Sequence, residues 1–112
     1  MTARSRPADV AATVVLLIVH GLLLGATVVL LELLVMVTDP CGSVRCGDPA
    51  WIDGAMMLGI WAGAAVLIAD VAVSAYLLVR HRTAFFVPII GCAAQVALAL
   101  GAAAMEWQAG PV

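Results

Sequence analysis

The run VAATVVLLIVHGLLLGATVVLLELLVMV, residues 10–37, decides the fold. Of its 28 positions only His20 and Glu32 are ionisable. As a helix rising about 1.5 Å per residue it would be about 42 Å long, more than the ~30 Å of hydrocarbon in a bilayer. In lipid each backbone N–H and C=O must be satisfied within its own segment, so the run has to be helical.

Two more apolar runs follow, at 54–79 and 84–105. The chain is 65% hydrophobic and 11% charged, whereas a soluble domain is about 25% charged. Its mean hydropathy of +1.17 points the same way. The fold expected is all-α: one integral membrane domain over residues 1–112, with three transmembrane helices at about 10–37, 54–79 and 84–105. The head MTARSRPAD begins as a signal peptide does. A signal's apolar region is only about 7–15 residues long, so this run reads as an uncleaved first span. Pro88 lies near the start of the third run, either in the first turn of that helix or at a kink.

The five positive residues, Arg4, Arg6, Arg45, Arg80 and Arg82, form no basic patch for nucleic acid. Their distribution carries orientation instead. Arg4 and Arg6 precede the first run, and Arg80 and Arg82 flank the turn between the second and third. The 38–53 loop, TDPCGSVRCGDPAWID, has one arginine against Asp39, Asp48 and Asp53. Positive residues favour the cytoplasmic side. The expected protein is therefore multi-pass in the cell membrane, with its N-terminus cytoplasmic, the 38–53 loop outside and its C-terminus outside. Trp51 and Trp107 would then lie at the outer interface, and Tyr76, Phe85 and Phe86 near the inner one.

Cys41 and Cys46 sit in the outer loop, where the environment is oxidising and a disulfide is the expected state. A metal pair would need two further ligands, and the loop has no histidine. Cys92, inside the third run, reads as a small buried apolar residue. Asp53 is placed to cap the second helix at its N-terminus.

Polar groups at membrane depth cost roughly 2.5–3.5 kcal/mol each on insertion scales and usually face protein or water. His20, Asp70 and Gln95 each lie ten or eleven residues from the inner end of their run, about 15 Å deep. Ser74 is one turn from Asp70. Small residues mark the packing faces: Gly21 and Gly25 in the first helix, Gly59 and Gly63 in the second, Gly91 in the third. The expectation is a polar cluster of His20, Asp70, Gln95 and Ser74 between the helices. It either fixes helix register or carries a proton, an ion or a cationic substrate, since histidine ordinarily titrates near neutral pH. Haem or metal ligation by His20 lacks a second histidine at matching depth, so no cofactor and no metal site is expected. Glu32 lies in the outer half of the first helix, eleven residues after Gly21 and so nearly on the Gly21–Gly25 face. It either reaches the outer interface or meets a neighbouring helix.

The chain lacks the four short helices of small multidrug-resistance transporters and the aspartate–tyrosine pair of succinate dehydrogenase anchor subunits. The pattern RPADV…TDPCGSVRCGDPAWID resembles the small uncharacterised multi-pass membrane proteins of actinobacteria, a likeness that covers most of the chain and implies no activity. No nucleophile–base pair or phosphate loop is present, which argues against an enzyme. The function expected is an accessory or scaffold subunit whose partners are the lipid bilayer and another membrane protein or further copies of itself. The alternative is a homo-oligomeric proton-coupled transporter or channel using Asp70 and His20.

Overall fold

The structure, a computed structural model, describes residues 6–112; Arg4 lies outside them. The chain forms α1 (Arg6–Leu34), a 3-10 segment (Val35–Gly42), α2 (Ala50–Met56), a π segment (Met57–Ala62), α3 (Gly63–Val79) and α4 (Phe86–Trp107). The described residues contain no strand, only an isolated antiparallel bridge between Cys46 and Pro111. Three stretches, Pro7–Gly42, Ala50–Val79 and Phe86–Trp107, are long and apolar enough to cross a membrane. Side by side they make a rod of 62 × 16 × 16 Å. Large apolar side chains such as Leu22, Ile68, Ile90 and Leu100 face outward. Most of the largest fully buried side chains are polar, among them His20, Gln95, Glu106, Thr13 and Ser74. That inversion fits a lipid solvent, in which apolar faces gain nothing by being hidden and polar ones hold helices together.

The ends of the helices differ from those expected. The α-geometry of the first span stops at Leu34 and tightens to 3-10 through Pro40. The second span begins at Ala50 rather than residue 54. Asp53 is thus an exposed residue of its first turn, not its cap. The cap contact belongs to Asp48, whose Oδ1 accepts the N–H of Ala50 at 2.9 Å. Pro88 is the third residue of α4, so the missing N–H costs no intrahelical bond there.

Between α2 and α3 the π segment re-phases the second span. Ala55 and Ser74 are both buried. Nineteen positions of regular α-helix would leave them about 100° apart. A π turn, with its longer hydrogen-bonded ring, rotates less per residue and removes that drift. Ala55, Gly59, Gly63, Asp70 and Ser74 therefore all point inward.

At the turn end, α3 closes with the N–H of His81 donated to Leu78 O at 3.1 Å and that of Arg82 to Leu77 O at 2.8 Å. This is the paired Schellman cap of a helix C-terminus, and His81 occupies its left-handed position at φ 57°. The other end of the rod is held by the Cys41–Cys46 disulfide, with Cα atoms 5.6 Å apart. The C-terminal residues fold back onto it: Gly47 N–H donates to Gly110 O and Val112 N–H to Arg45 O, both at 3.0 Å. A side chain at Gly47 would collide with the carbonyl of Gln108, so this close approach requires glycine.

Asp9 ties the first span to the third at the turn end. Its carboxylate accepts the N–H groups of Ala84 and Phe85 at 3.1–3.3 Å. It thereby caps a helix on which it does not lie. Asp9→Ala should lower stability by about 1–2 kcal/mol, since it takes the acceptor from the buried N–H of Ala84. The check is thermal unfolding in mild detergent, where Asp9→Asn, which keeps an acceptor oxygen, should recover most of the loss.

Candidate intramembrane polar site

The site begins in the spacing of α1. Thr13, His20 and Thr27 recur every seven residues, which returns them to one helix face. All three are buried. The two threonine hydroxyls donate back to their own helix, Thr13 to Asp9 O at 2.8 Å and Thr27 to Leu23 O at 2.7 Å. Such back-bonding satisfies a hydroxyl proton in a dry interior. It leaves the oxygen lone pairs free to accept.

His20 projects from this face to α3. Its Nδ1 lies 2.5 Å from Asp70 Oδ2, with the imidazole 0% exposed and Asp70 4% exposed. An ionised carboxylate only accepts, so with Asp70 ionised Nδ1 would be the donor of this bond. The second oxygen, Oδ1, accepts the hydroxyl of Ser74 at 3.4 Å. Gly91 of α4 closes the third side. A Cβ there would stand 2.8 Å from Asp70 Cγ and 2.9 Å from His20 Nδ1. The pair is therefore clasped by three helices, and a glycine is what lets the third come near. Two ionisable groups buried together largely offset each other's desolvation; removing either strands the other.

Gln95 does not join that pair. Its Nε2 donates to Thr27 Oγ1 at 3.2 Å, two turns along α1 from His20 and nearer the disulfide end. Gly63 makes room for it: a Cβ there would come 3.3 Å from Gln95 Oε1 and 2.7 Å from Leu24 Cδ1. The expected cluster is thus two adjacent levels, His20–Asp70–Ser74 and Thr27–Gln95. Next toward the disulfide end is an apolar layer of Leu31, Ala55 and Ala102, into which Gly59 packs.

Of the glycines expected to pack helices, Gly59, Gly63 and Gly91 do so. Gly21 and Gly25 do not: a Cβ at either meets nothing within 4 Å. They point off the bundle because the His20 face, not theirs, turns inward. Glu32, close to them around α1, is exposed. Cys92 is half-buried, its Sγ 3.8 Å from Leu16 O.

Four buried polar residues have no counterpart in the expected cluster: Asp9, Thr13, Thr27 and Glu106. The heptad Thr13–His20–Thr27 was the available signal for the two threonines. For Glu106 it was the stripe Gly91, Gln95, Ala102, Glu106, with steps of four, seven and four. Glu106 is 0% exposed, and neither of its carboxyl oxygens has a hydrogen-bond partner among the described residues. His20 Nε2 and Gln95 Oε1 are also buried without a partner. Among the described residues no three His, Cys, Asp or Glu side chains gather as a metal site would require. Chemically, the arrangement brings two ionisable side chains into contact at membrane depth, and it can lock three helices in register. No protein-family model matches the chain, and no curated sequence or solved structure matches it either.

Proposed function

We propose that the chain is a small accessory subunit of the cell membrane that docks on a larger membrane protein through the α1 face bearing Gly21, Gly25 and Glu32. The observation that carries this reading is the contrast between the two sides of α1. Inside, the ionisable groups of the mid-membrane level find partners in the same chain. Outside, two glycines one turn apart leave a notch that nothing among the described residues fills. Such a notch lets a second helix approach to backbone contact. Glu32 is exposed beside it, and an ionisable group facing hydrocarbon is costly unless a donor meets it. The partner helix would offer small residues opposite the notch and a hydrogen-bond donor at the depth of Glu32. The arginines at 80 and 82 favour a cytoplasmic turn, which puts the N-terminus in the cytoplasm and the disulfide end outside.

The test is extraction from native membranes in mild detergent, then sizing and mass spectrometry of what accompanies the chain. Wild type should carry a stoichiometric larger membrane protein. Gly21→Leu with Gly25→Leu should weaken that association at least about tenfold, roughly 1.4 kcal/mol, without changing the unfolding midpoint. Retention of the partner by the double variant would refute the docking face.

A second reading, a homo-oligomeric proton-coupled transporter or channel, draws on His20, whose Nε2 is buried beside an acid and has no partner. Copurification of the chain with itself alone, and a proton flux abolished by Asp70→Asn in vesicles, would favour it.

A further inference from the structure

The proposed docking face and the His20–Asp70 level leave Glu106 without a role. It is the last inward-facing residue on the buried stripe of α4, one turn before Ala109 and Gly110, which are themselves buried. Beyond it the chain turns back at once. Ala109 N–H donates to the backbone O of Glu106 at 3.0 Å, and Gly110 and Val112 pair with the disulfide loop. On the side toward the membrane centre lies the apolar layer of Leu31, Ala55 and Ala102. The carboxyl group is thus closed in at both ends.

A carboxylate buried without a donor or cation pays most of its hydration energy for nothing; the neutral acid avoids that loss. The chain has no lysine, and among the described residues no arginine pairs with Glu106. Glu32 of α1 is exposed. On the other packed elements, Asp53 of α2 and the loop residues Asp39, Arg45 and Asp48 are exposed.

We infer that Glu106 is a proton-binding site beneath the disulfide-held cap, occupied by a proton from the adjoining aqueous phase while the cap is closed. The step is a single protonation: the carboxylate takes one proton, and no other bond forms or breaks. Releasing that proton leaves an unpartnered anion under the cap, so release goes with admission of water. The site is separate from His20–Asp70 and does not depend on the docking reading.

Glu32 and Glu106 are the only glutamates in the chain, which makes a direct test available. The full-length protein in lipid nanodiscs, carrying glutamate labelled with carbon-13 at the side-chain carboxyl, should give two carboxyl resonances. At neutral pH one is expected at the protonated-acid position. It should persist as the sole signal in Glu32→Gln and vanish in Glu106→Gln. It should also be unmoved by calcium, magnesium or a chelator. If both wild-type resonances lie at the carboxylate position, Glu106 is ionised and the inference is wrong, whatever the variants do. If the Glu106 resonance moves with added calcium or magnesium and returns with chelator, the site takes a divalent cation and the proton assignment is overturned.

Discussion

Asp70→Ala is expected to cost about 3–5 kcal/mol, the scale on which removing one member of a buried pair strands the other. Three structural facts set the size of the effect. His20 and Asp70 are almost wholly buried. The carboxylate holds groups from two helices, His20 Nδ1 through one oxygen and Ser74 Oγ through the other. The imidazole left behind already has Nε2 without a partner, so its second nitrogen would be orphaned as well. A rod only 16 Å wide has few other buried contacts to make good the loss. In cells the expected result is a sharp fall in accumulated protein. In detergent it is an unfolding midpoint lowered well beyond that of any single outward-facing substitution. Asp70→Asn, which keeps an acceptor oxygen at nearly the same place, should lose distinctly less. If Asp70→Ala unfolds like wild type, the pair does not hold the helices together.

Gly91→Ala should also be costly, although it adds a single methyl group. That methyl would stand against Asp70 Oδ2 and within 3 Å of both Asp70 Cγ and His20 Nδ1. Neither neighbour is the free end of a flexible chain, because each is tethered to the other. The helices must separate or the pair must break. Overpacking usually costs about 1–3 kcal/mol. Here the upper end is expected, because the displaced atoms are those of the buried pair. The matched control is Gly101→Ala on the same helix, where an added Cβ meets nothing within 4 Å. It should be neutral or slightly stabilising, since alanine favours helix over glycine by about 1 kcal/mol. Equal unfolding midpoints for the two variants would contradict the close approach at Gly91.

The fold was legible because lipid leaves so few options. Three long apolar runs must be helices, and their lengths are set by the bilayer. The identity of the buried pair was legible too, since His20 and Asp70 are ionisable residues at matched depth in apolar surroundings. What the sequence hid was rotation about each helix axis. A glycine pair marks a surface able to pack but not the partner that fills it. The glycines at 21 and 25 therefore looked like packing residues equivalent to 59 and 63, yet they face away. The heptad of Thr13, His20 and Thr27 fixes the inward face of α1 more firmly, because threonines and a histidine are better placed inside than in lipid. Gln95 was assigned to the wrong level because depth arithmetic resolves about one turn, and its partner Thr27 lies two turns along from His20. Asp9 and Glu106 escaped for another reason: each sits at the end of a run, where a charge ordinarily faces water. Only the fold shows the backbone of Ala84 and Phe85 reaching Asp9 and the C-terminal residues turning back just beyond Glu106.

The most direct test of the bundle's internal pairing is a double-mutant cycle on His20→Leu and Asp70→Leu, read as unfolding free energy in mild detergent. If the two side chains pair within one chain, each single variant strands a partner, and the doubly substituted chain should be more stable than either. The coupling expected is about 2–3 kcal/mol, at the upper end for contacting residues. A mixture of the two single variants should recover nothing, since neither chain contains an intact pair. Additive losses in the double variant, or rescue on mixing the singles, would contradict a pair held inside one protomer.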